Sequence, residues 1–252
     1  MLNPELISLG PLHIRWYGVM AVAGVISAYY LMLHRSKRYG YNSDNISDIT
    51  FWSMIAAIVG ARLLYVIRFW DEQFAGNPLD AFKIYEGGLV FLGGFALSVF
   101  FLFFYCRAKK WDIGNLADLI APALPLGHAF GRIGCLLNGC CFGFKYEGFC
   151  SIRYEYPPFG TFPLQFFSAI FNAVFATVLL WLEKKGYFNR RRFLIYILGY
   201  SVGRFILEFG RGDYPESQLC HGLTPAQVTC LWLAPLTVAV WIAINLYRRP
   251  AK

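Results

Sequence analysis

The stretch LGHAFGRIGCLLNGCCFG, Leu126 to Gly143, places one arginine among glycines, cysteines and apolar residues. It begins inside a segment that is apolar enough to cross a bilayer. An arginine at the centre of a transmembrane helix costs about 2.5 to 3.5 kcal/mol on the insertion scale, so Arg132 indicates a functional site. The stretch therefore predicts a membrane fold and, within it, a site that requires a positive charge.

The composition is typical of a membrane protein. Of the 252 residues, 57% are hydrophobic and 15% are charged, and the mean hydropathy is +0.46. The net charge of +8 comes from lysines and arginines in short loops between apolar segments. This distribution favours membrane lipids as partners and excludes nucleic acid, which requires basic residues clustered on a solvated face. The N-terminus lacks the features of a signal peptide, so we expect the first apolar segment to be retained.

Seven apolar segments are long enough to cross a bilayer about 30 Å thick, which takes roughly 20 helical residues. We predict an all-α polytopic membrane protein in which residues 1–252 form a single integral membrane domain. No internal repeat of the kind found in many transporters is visible. The predicted transmembrane helices lie at residues 14–33, 49–69, 88–106, 117–137, 163–182, 193–209 and 224–247.

Lysines and arginines concentrate after the first, third, fifth and seventh segments, whereas the other loops hold most of the acidic residues. By the positive-inside rule, the N-terminus lies outside and the C-terminus is cytoplasmic. The longest loop, about residues 138–162, is then external. Its glycines, prolines and aromatic residues predict a structured cap near the lipid headgroups.

Three arginines are predicted to share one depth in the outer half of the membrane. Counted from the cytoplasmic side at about 1.5 Å per residue, Arg132, Arg62 and Arg204 lie about 22, 20 and 17 Å along their helices. Residues three or four positions apart share one helix face. By this spacing, further polar side chains are predicted beside Arg132 and Arg204. The added residues are His128 and Cys135 on the fourth segment, and Tyr200, Glu208 and Arg211 on the sixth.

These residues predict a polar pocket lined by the first, second, fourth and sixth segments. Tyr17 lies at a similar level and belongs either to the pocket or to the interfacial aromatic belt. Glu208 alone cannot neutralise the arginines, so the pocket requires an anion, and a phospholipid phosphate matches the planar guanidinium fork. The alternative is a structural role, in which the arginines pair with Glu208 or with helix carbonyls.

An ordered set of motifs resembles one family over nearly the whole chain, the prolipoprotein diacylglyceryl transferases of bacterial inner membranes. Each motif is short, and the specificity lies in their order. The motifs are SLGPLHIRWYG at 8–18, VGARLLYV at 59–66, EGGLVFLGG at 86–94, GRIGCLLNG at 131–139, FPLQ at 162–165 and GYSVGRFILEFGR at 199–211.

The resemblance implies an enzyme that transfers the diacylglyceryl group of phosphatidylglycerol to the lipobox cysteine of a prolipoprotein signal peptide. Such a reaction needs cations on the departing phosphate and a base for the thiol, and no metal or other cofactor. Arg132 and Arg204 match the family's two essential arginines, and Glu208 would orient Arg204. The substrate-binding residues that we infer alongside them are Tyr17, Arg62, Asn138, Tyr200 and Arg211.

Two positions depart from the family pattern. Leu92 stands where the family commonly has a histidine, and Cys135 stands where it has an asparagine. His128, one helical turn before Arg132, is a candidate catalytic base that would replace the missing histidine. The alternative for His128 is an inert, hydrogen-bonded side chain.

The cysteines allow several interpretations. The spacing of Cys135, Cys140 and Cys141, without a nearby histidine pair, is not a standard zinc spacing, so we favour small apolar packing. Disulfides on the outer side, involving Cys140, Cys141, Cys150 or Cys220, stay open. A covalent role for Cys135 in lipid transfer is a further alternative.

Rival functions differ in what they require. A transporter or flippase for an anionic solute should have a midplane site at a repeat interface and a cytoplasmic path, and neither is visible. A transferase with another thiol or hydroxyl acceptor is suggested by Leu92 and Cys135. A scaffold without chemistry does not explain the buried arginines. We therefore assign diacylglyceryl transfer at the bacterial inner membrane.

Overall fold

The computed structural model describes residues 5–9, 12–84, 87–155, 157–215 and 219–247. Within these ranges the chain is mostly helical, with two small antiparallel hairpins. The helices are α1 Trp16–Ser36, α2 Ser43–Arg68, α3 Phe91–Lys109, α4 Ile113–Ile120, α5 Ala123–Asn138, α6 Leu164–Lys184, α7 Arg192–Glu208 and α8 Pro225–Tyr247. The strands are β1 Glu5–Leu9, β2 Leu12–Arg15, β3 Ile152–Arg153 and β4 Gly160–Thr161.

In the described part of the chain, six helical stretches are long and apolar enough to cross a membrane. This confirms the prediction of an all-α polytopic membrane protein. The remaining long helix, α7, has 17 residues and is shorter than these six stretches. The six are Trp16–Tyr39, Ser43–Arg68, Phe91–Lys109, Ile113–Asn138, Leu164–Lys184 and Pro225–Leu246.

Several of the predicted helix boundaries are wrong, and the largest error is at α2, which begins at Ser43 instead of residue 49. Ile14 and Arg15 belong to β2, and α1 begins at Trp16. The fourth predicted span is divided into α4 and α5 by a turn at residues 121–122. Pro122 causes this break because it has no N–H to donate and because it disfavours helical geometry at the residue before it.

The described residues form two compact units. The larger unit contains the described residues of Met1–Met32 and Ala117–Lys252, and the smaller unit contains the described residues of Leu33–Leu116. The candidate residues on α5 and α7 belong to the larger unit, whereas Arg62 and Leu92 belong to the smaller one. The single domain of residues 1–252 stays a prediction.

In the larger unit, α5 packs closely against α1. A Cβ atom added to Gly24 would lie 2.9 Å from the carbonyl oxygen of Gly127. A Cβ added to Gly134 would lie 3.1 Å from Cβ of Met20 and 3.3 Å from Cα of Tyr17. Small residues are therefore needed along this contact, as is common where membrane helices approach closely.

A buried ion pair fixes the start of α7 in the larger unit. Nε of Arg192 lies 3.1 Å from Oδ2 of Asp118 on α4, and both side chains are almost fully buried. The same carboxylate accepts hydrogen bonds from the backbone N–H groups of Arg190 and Phe193 at 2.6 and 3.2 Å. Glu183, at the end of α6, lies 3.6 Å from Nη1 of Arg192. The helices α4, α6 and α7 are thus joined at the N-terminal end of α7, whereas Glu208 lies at its C-terminal end.

The smaller unit contains the hairpin of α2 and α3. Gly60 and Gly93 face each other there, and a Cβ on either one would overlap the other's carbonyl oxygen. The hydroxyl of Ser98 on α3 donates to the carbonyl of Ser53 on α2 at 3.1 Å. The close approach of these two helices therefore depends on glycine at both positions.

The segment that was predicted to be a structured cap, residues 138–162, contains the hairpin of β3 and β4. Its first part pairs with the chain that follows α7, because N–H of Phe144 donates to the carbonyl of Gly210 at 3.0 Å. Outside the helices, Glu147 accepts from Arg153 at 2.8 Å and from N–H of Gly160 at 3.0 Å. The Arg153 guanidinium and this N–H hold the pKa of Glu147 below its usual range.

Replacing Asp118 should destabilise the larger unit. Asp118→Ala leaves Arg192 buried with a weaker partner and removes the acceptor at the start of α7, so we expect a loss of about 3 to 5 kcal/mol. Asp118→Asn keeps an acceptor and should cost less. Thermal unfolding in detergent measures the effect, with Asp71→Ala at an exposed position as the control. Equal melting temperatures for the wild type and Asp118→Ala would contradict this role.

Candidate functional site

The candidate residues of the fourth predicted span lie on α5. Its C-terminus is capped by Gly139, which has a φ of 72° and donates its N–H to the carbonyl of Cys135. Nε of Arg132 donates to Nε2 of His128 at 3.1 Å. Because guanidinium can only donate, Nε2 of His128 is the acceptor and, in the neutral ring, Nδ1 carries the proton.

The candidate residues of the sixth predicted span lie on α7 and just beyond it. Nη2 of Arg204 lies 2.8 Å from Oε2 of Glu208, whose side chain is 0% exposed. Nη1 of Arg211 lies 3.7 Å from Oε1 of Glu208. Arg211 also donates to both carboxylate oxygens of Asp213, at 2.6 and 2.8 Å. Glu208 is therefore held between two guanidinium groups.

The two helices bring their polar faces together in the larger unit. The ring centroids of His128 on α5 and Tyr200 on α7 lie 5.5 Å apart. The charge of Arg132 acts on both Arg204 and Tyr200. The structure thus unites the residues that the sequence placed on two separate helix faces.

We call Arg132, Arg204, Arg211, Glu208 and Asp213 the arginine cluster. Its three guanidinium groups face two carboxylates, which leaves one positive charge in excess. Arg132 is 8% exposed, and the Arg204 side chain is 13% exposed. Within the described residues, Nη1 and Nη2 of Arg132 and Nε and Nη1 of Arg204 have no hydrogen-bond partner. No nitrogen of Arg132 or Arg204 is a fully buried atom without a partner, so these donors stay accessible to an anion with several oxygen acceptors.

Tyr17 lies near this cluster, at the second position of α1. Its side chain is 48% exposed. A Cβ added to Gly134, two residues after Arg132, would lie 3.3 Å from Cδ2 of Tyr17. Its place beside Gly134 follows from the close packing of α1 on α5.

Three cysteines form a second cluster next to Arg132. The Sγ atoms of Cys135, Cys140 and Cys141 all lie within 4.8 Å of one another. Each of these cysteines is a free thiol. Asn138 is the last residue of α5, and its buried Oδ1 has no hydrogen-bond partner.

Arg62 has a different environment in the smaller unit. Its Nε and Nη2 donate to the carbonyls of Ala81 and Asp80, both at 2.8 Å. Its Nη1 donates to the carbonyls of Gly87 and Gly88 at 2.7 and 3.3 Å. Each nitrogen of this guanidinium already has a main-chain partner, which favours a structural role for Arg62 over phosphate binding.

The family model described as prolipoprotein diacylglyceryl transferase matches residues 4–243. The chain belongs to this family. Curated relatives named phosphatidylglycerol--prolipoprotein diacylglyceryl transferase include one from Clostridium tetani, 36% identical over 84% of this chain and 86% of its own length. Others come from Shouchella clausii, 31% identical over 98% and 91%, and from Acinetobacter baumannii (strain ACICU), 29% identical over 98% and 94%. The resemblance inferred from the ordered motifs is thereby confirmed.

Within this family, the two departures of the chain fall in different places. Leu92 is the second residue of α3 in the smaller unit and is 65% exposed. Cys135 is buried in the larger unit, one helical turn after Arg132. The predicted departure at Cys135 therefore lies in the immediate surroundings of the arginine cluster, whereas that at Leu92 belongs to the other unit.

The sequence interpretation missed two residues that support the site. Asp213 was grouped with the loop acids, although its position two residues after Arg211 was a usable signal. Gln165 was noted only within a motif. It is 1% exposed, and its Nε2 donates to the carbonyl of Cys140 at 2.8 Å. No local pattern predicts this contact between α6 and the cap.

Removing Glu208 should destabilise the larger unit, because it would leave Arg204 buried without a counter-ion. We expect Glu208→Ala to cost about 3 to 5 kcal/mol, as is typical when one partner of a buried pair is removed. Thermal unfolding in detergent measures the change. Glu155→Ala, at an exposed position in the cap, serves as the control and should unfold like the wild type. A Glu208→Ala variant as stable as this control would rule out the proposed neutralisation.

Proposed function

We propose that this protein transfers the diacylglyceryl group of phosphatidylglycerol to the lipobox cysteine thiol of prolipoproteins. The names of the relatives and the family supply the reaction. The observation that carries the proposal to this chain is the pair of buried arginines, Arg132 and Arg204, with unused donors in a cluster of surplus positive charge. An anionic lipid phosphate would satisfy both the donors and the charge.

The reaction defines what the site has to do. A C–S bond forms at a glycerol carbon of the lipid, and the C–O bond from that carbon to the phosphate breaks. Glycerol phosphate leaves with the bonding electrons, and the thiol proton passes to a general base or to solvent. Negative charge increases on the departing phosphate, so fixed guanidinium groups beside it stabilise the transition state more than the ground state.

Arg132 and Arg204 are the proposed phosphate ligands. Arg132 uses Nε for His128, which leaves its two Nη groups for two phosphate oxygens. Glu208 engages Nη2 of Arg204 and so sets the direction of the remaining donors. In this scheme Glu208 is a positioning residue, because it acts through Arg204.

The other predicted site residues have supporting roles in this proposal. Tyr17 and Tyr200 border the cluster and would bind the lipid headgroup. Arg211, already paired with Asp213 and near Glu208, would add positive charge. Asn138 would hold the loop at the end of α5. Arg62 was predicted to bind substrate, but its main-chain contacts lead us to propose that it organises the loop at residues 80–88.

We also propose the membrane topology. The six apolar stretches together with α7 would make seven spans in the bacterial inner membrane, and the alternating basic loops favour an external N-terminus and a cytoplasmic C-terminus. In this orientation the cap at residues 138–162 and the arginine cluster lie towards the outer leaflet. That is the side on which a secreted precursor presents its cysteine.

Substitution of either arginine should abolish most of the transfer. Loss of a preorganised donor to a developing anion typically reduces turnover by about 10² to 10³-fold, and we expect this for Arg132→Ala and Arg204→Ala. The assay uses the purified protein, phosphatidylglycerol vesicles and a lipobox peptide, and detects the lipidated peptide by mass. Arg153→Ala, a solvent-exposed change of the same type, should retain full activity. Transfer that survives both substitutions would overturn the phosphate-binding role.

His128 offers a sharper test, because its two roles predict different results. The contact of its Nε2 with Arg132 favours positioning of the guanidinium over the predicted role as the base. In His128→Gln, the amide oxygen can still accept from Arg132, so activity should stay within about tenfold of the wild type, whereas His128→Leu should lose more. If His128 is the base, both variants lose activity equally, and the pH profile of His128→Gln changes shape.

A further inference from the structure

The thiol cluster of Cys135, Cys140 and Cys141 is built by the end of α5 and the turn that follows it. N–H of Cys140 donates to the carbonyl of Cys135 at 3.2 Å, which turns the chain back over the helix end. Cys141 then adopts a φ of 60°, a left-handed conformation that is uncommon outside glycine. The three sulfur atoms are brought together by this reversal of the chain.

The surrounding side chains hold this arrangement in place. Gln165 on α6 is almost fully buried, and its Nε2 donates to the carbonyl of Cys140 at 2.8 Å and to the hydroxyl of Tyr154 at 3.3 Å. Tyr154 is 4% exposed. The backbone between the sulfur-bearing residues is therefore fixed before any ligand arrives.

We propose that the thiol cluster binds one thiophilic divalent cation, with Zn²⁺ as the representative ion. Zn–S bonds of about 2.3 Å in a tetrahedral complex separate the sulfur atoms by about 3.8 Å. The cluster, with every separation within 4.8 Å, reaches this geometry through small side-chain rotations. Binding converts three thiols into thiolates and releases three protons, so that no oxidant or reductant is needed.

Asn138 supplies an independent reason to place a ligand here. Its buried Oδ1 has no hydrogen-bond partner, and Asn138 is the last residue of α5, between Cys135 and Cys140 in the chain. Buried amide oxygens are rarely left without a partner. A bound cation, or a water molecule on it, would give this oxygen a partner at the fourth coordination position.

The charges nearby also fit such a complex. Three thiolates and one divalent cation carry a net charge of −1. Arg132 lies one helical turn before Cys135 on α5, and Arg211 pairs with Gly143, two residues after Cys141. The two guanidinium groups would offset this charge in a buried environment. The proposal concerns binding alone and does not depend on the transferase reaction.

The test uses Co²⁺ as the probe, because tetrahedral thiolate coordination gives it intense visible absorption and a sulfur-to-metal charge-transfer band. The full-length protein, purified in detergent with reduced thiols, should bind one equivalent with this spectrum, and Zn²⁺ should displace it. Cys140→Ser and Cys141→Ser each remove one sulfur and should weaken Co²⁺ binding more than about 100-fold, beyond the effect of losing an outer-shell partner. Cys150→Ser, at an exposed free thiol outside the cluster, is the control and should bind like the wild type.

Three results would overturn the proposal. One is wild-type protein without the thiolate spectrum, and another is equal binding by the wild type and both cluster variants. The third is a disulfide between two cysteines of the cluster, located by peptide mapping of protein taken from membranes without reductant, because such a bond leaves too few ligands. A misfolded variant is recognised separately by its melting temperature without metal, which should match that of the Cys150→Ser control.

Discussion

The larger unit depends on a carboxylate that is buried between two guanidinium groups. The Glu208 side chain has no exposed surface, and its carboxylate oxygens lie 2.8 Å from Arg204 and 3.7 Å from Arg211. None of these three charges could be buried alone without a penalty of several kcal/mol. Asp213 shares the charge of Arg211, so that Glu208 is directed mainly to Arg204. Because Arg132 has no carboxylate partner among the described residues, the group as a whole stays positive. One interaction thus stabilises the end of α7 and preserves the charge that an anionic substrate requires.

Catalysis by fixed charges requires that the charges do not move when the reaction begins. Here α7 is held at both ends, by Asp118 and Arg192 at its start and by the pairing of Gly210 with Phe144 just beyond its end. On the facing helix, Pro122 and Gly139 define where α5 begins and ends. The glycine contacts with α1 fix the position of α5 from the opposite side. Two guanidinium groups on rigid, mutually supported helices can therefore keep their geometry with little reorganisation.

The contacts that the sequence predicted best are those between residues of the same helix. The spacing of four residues placed His128 beside Arg132 and Glu208 beside Arg204, and both contacts are present, since residues one helical turn apart always share a face. The strand at Ile14 was missed because apolar character continues through it into α1. The four carbonyls around Arg62 belong to residues 80, 81, 87 and 88. These residues lie outside α2, so the periodicity of the helix does not predict the contact. The meeting of α5 and α7 was inferred from the family motifs and from charge balance, not from either helix alone.

The thiol cluster shows why spacing along the chain is a weak guide to metal ligands. The interval between Cys135 and Cys140 matches no standard zinc pattern, yet a left-handed residue at Cys141 brings three sulfur atoms together. The same fold places three sulfur ligands beside the guanidinium donors of the arginine cluster. Arg132 lies next to both groups. These two groups select different partners, because thiolates bind soft cations and guanidinium binds phosphate oxygens. They are nevertheless linked through charge: a complex of net charge −1 would offset the excess positive charge of the arginine cluster. Since such coupling is reciprocal, an anion held by the arginines must weaken cation binding by the factor by which the cation weakens the anion.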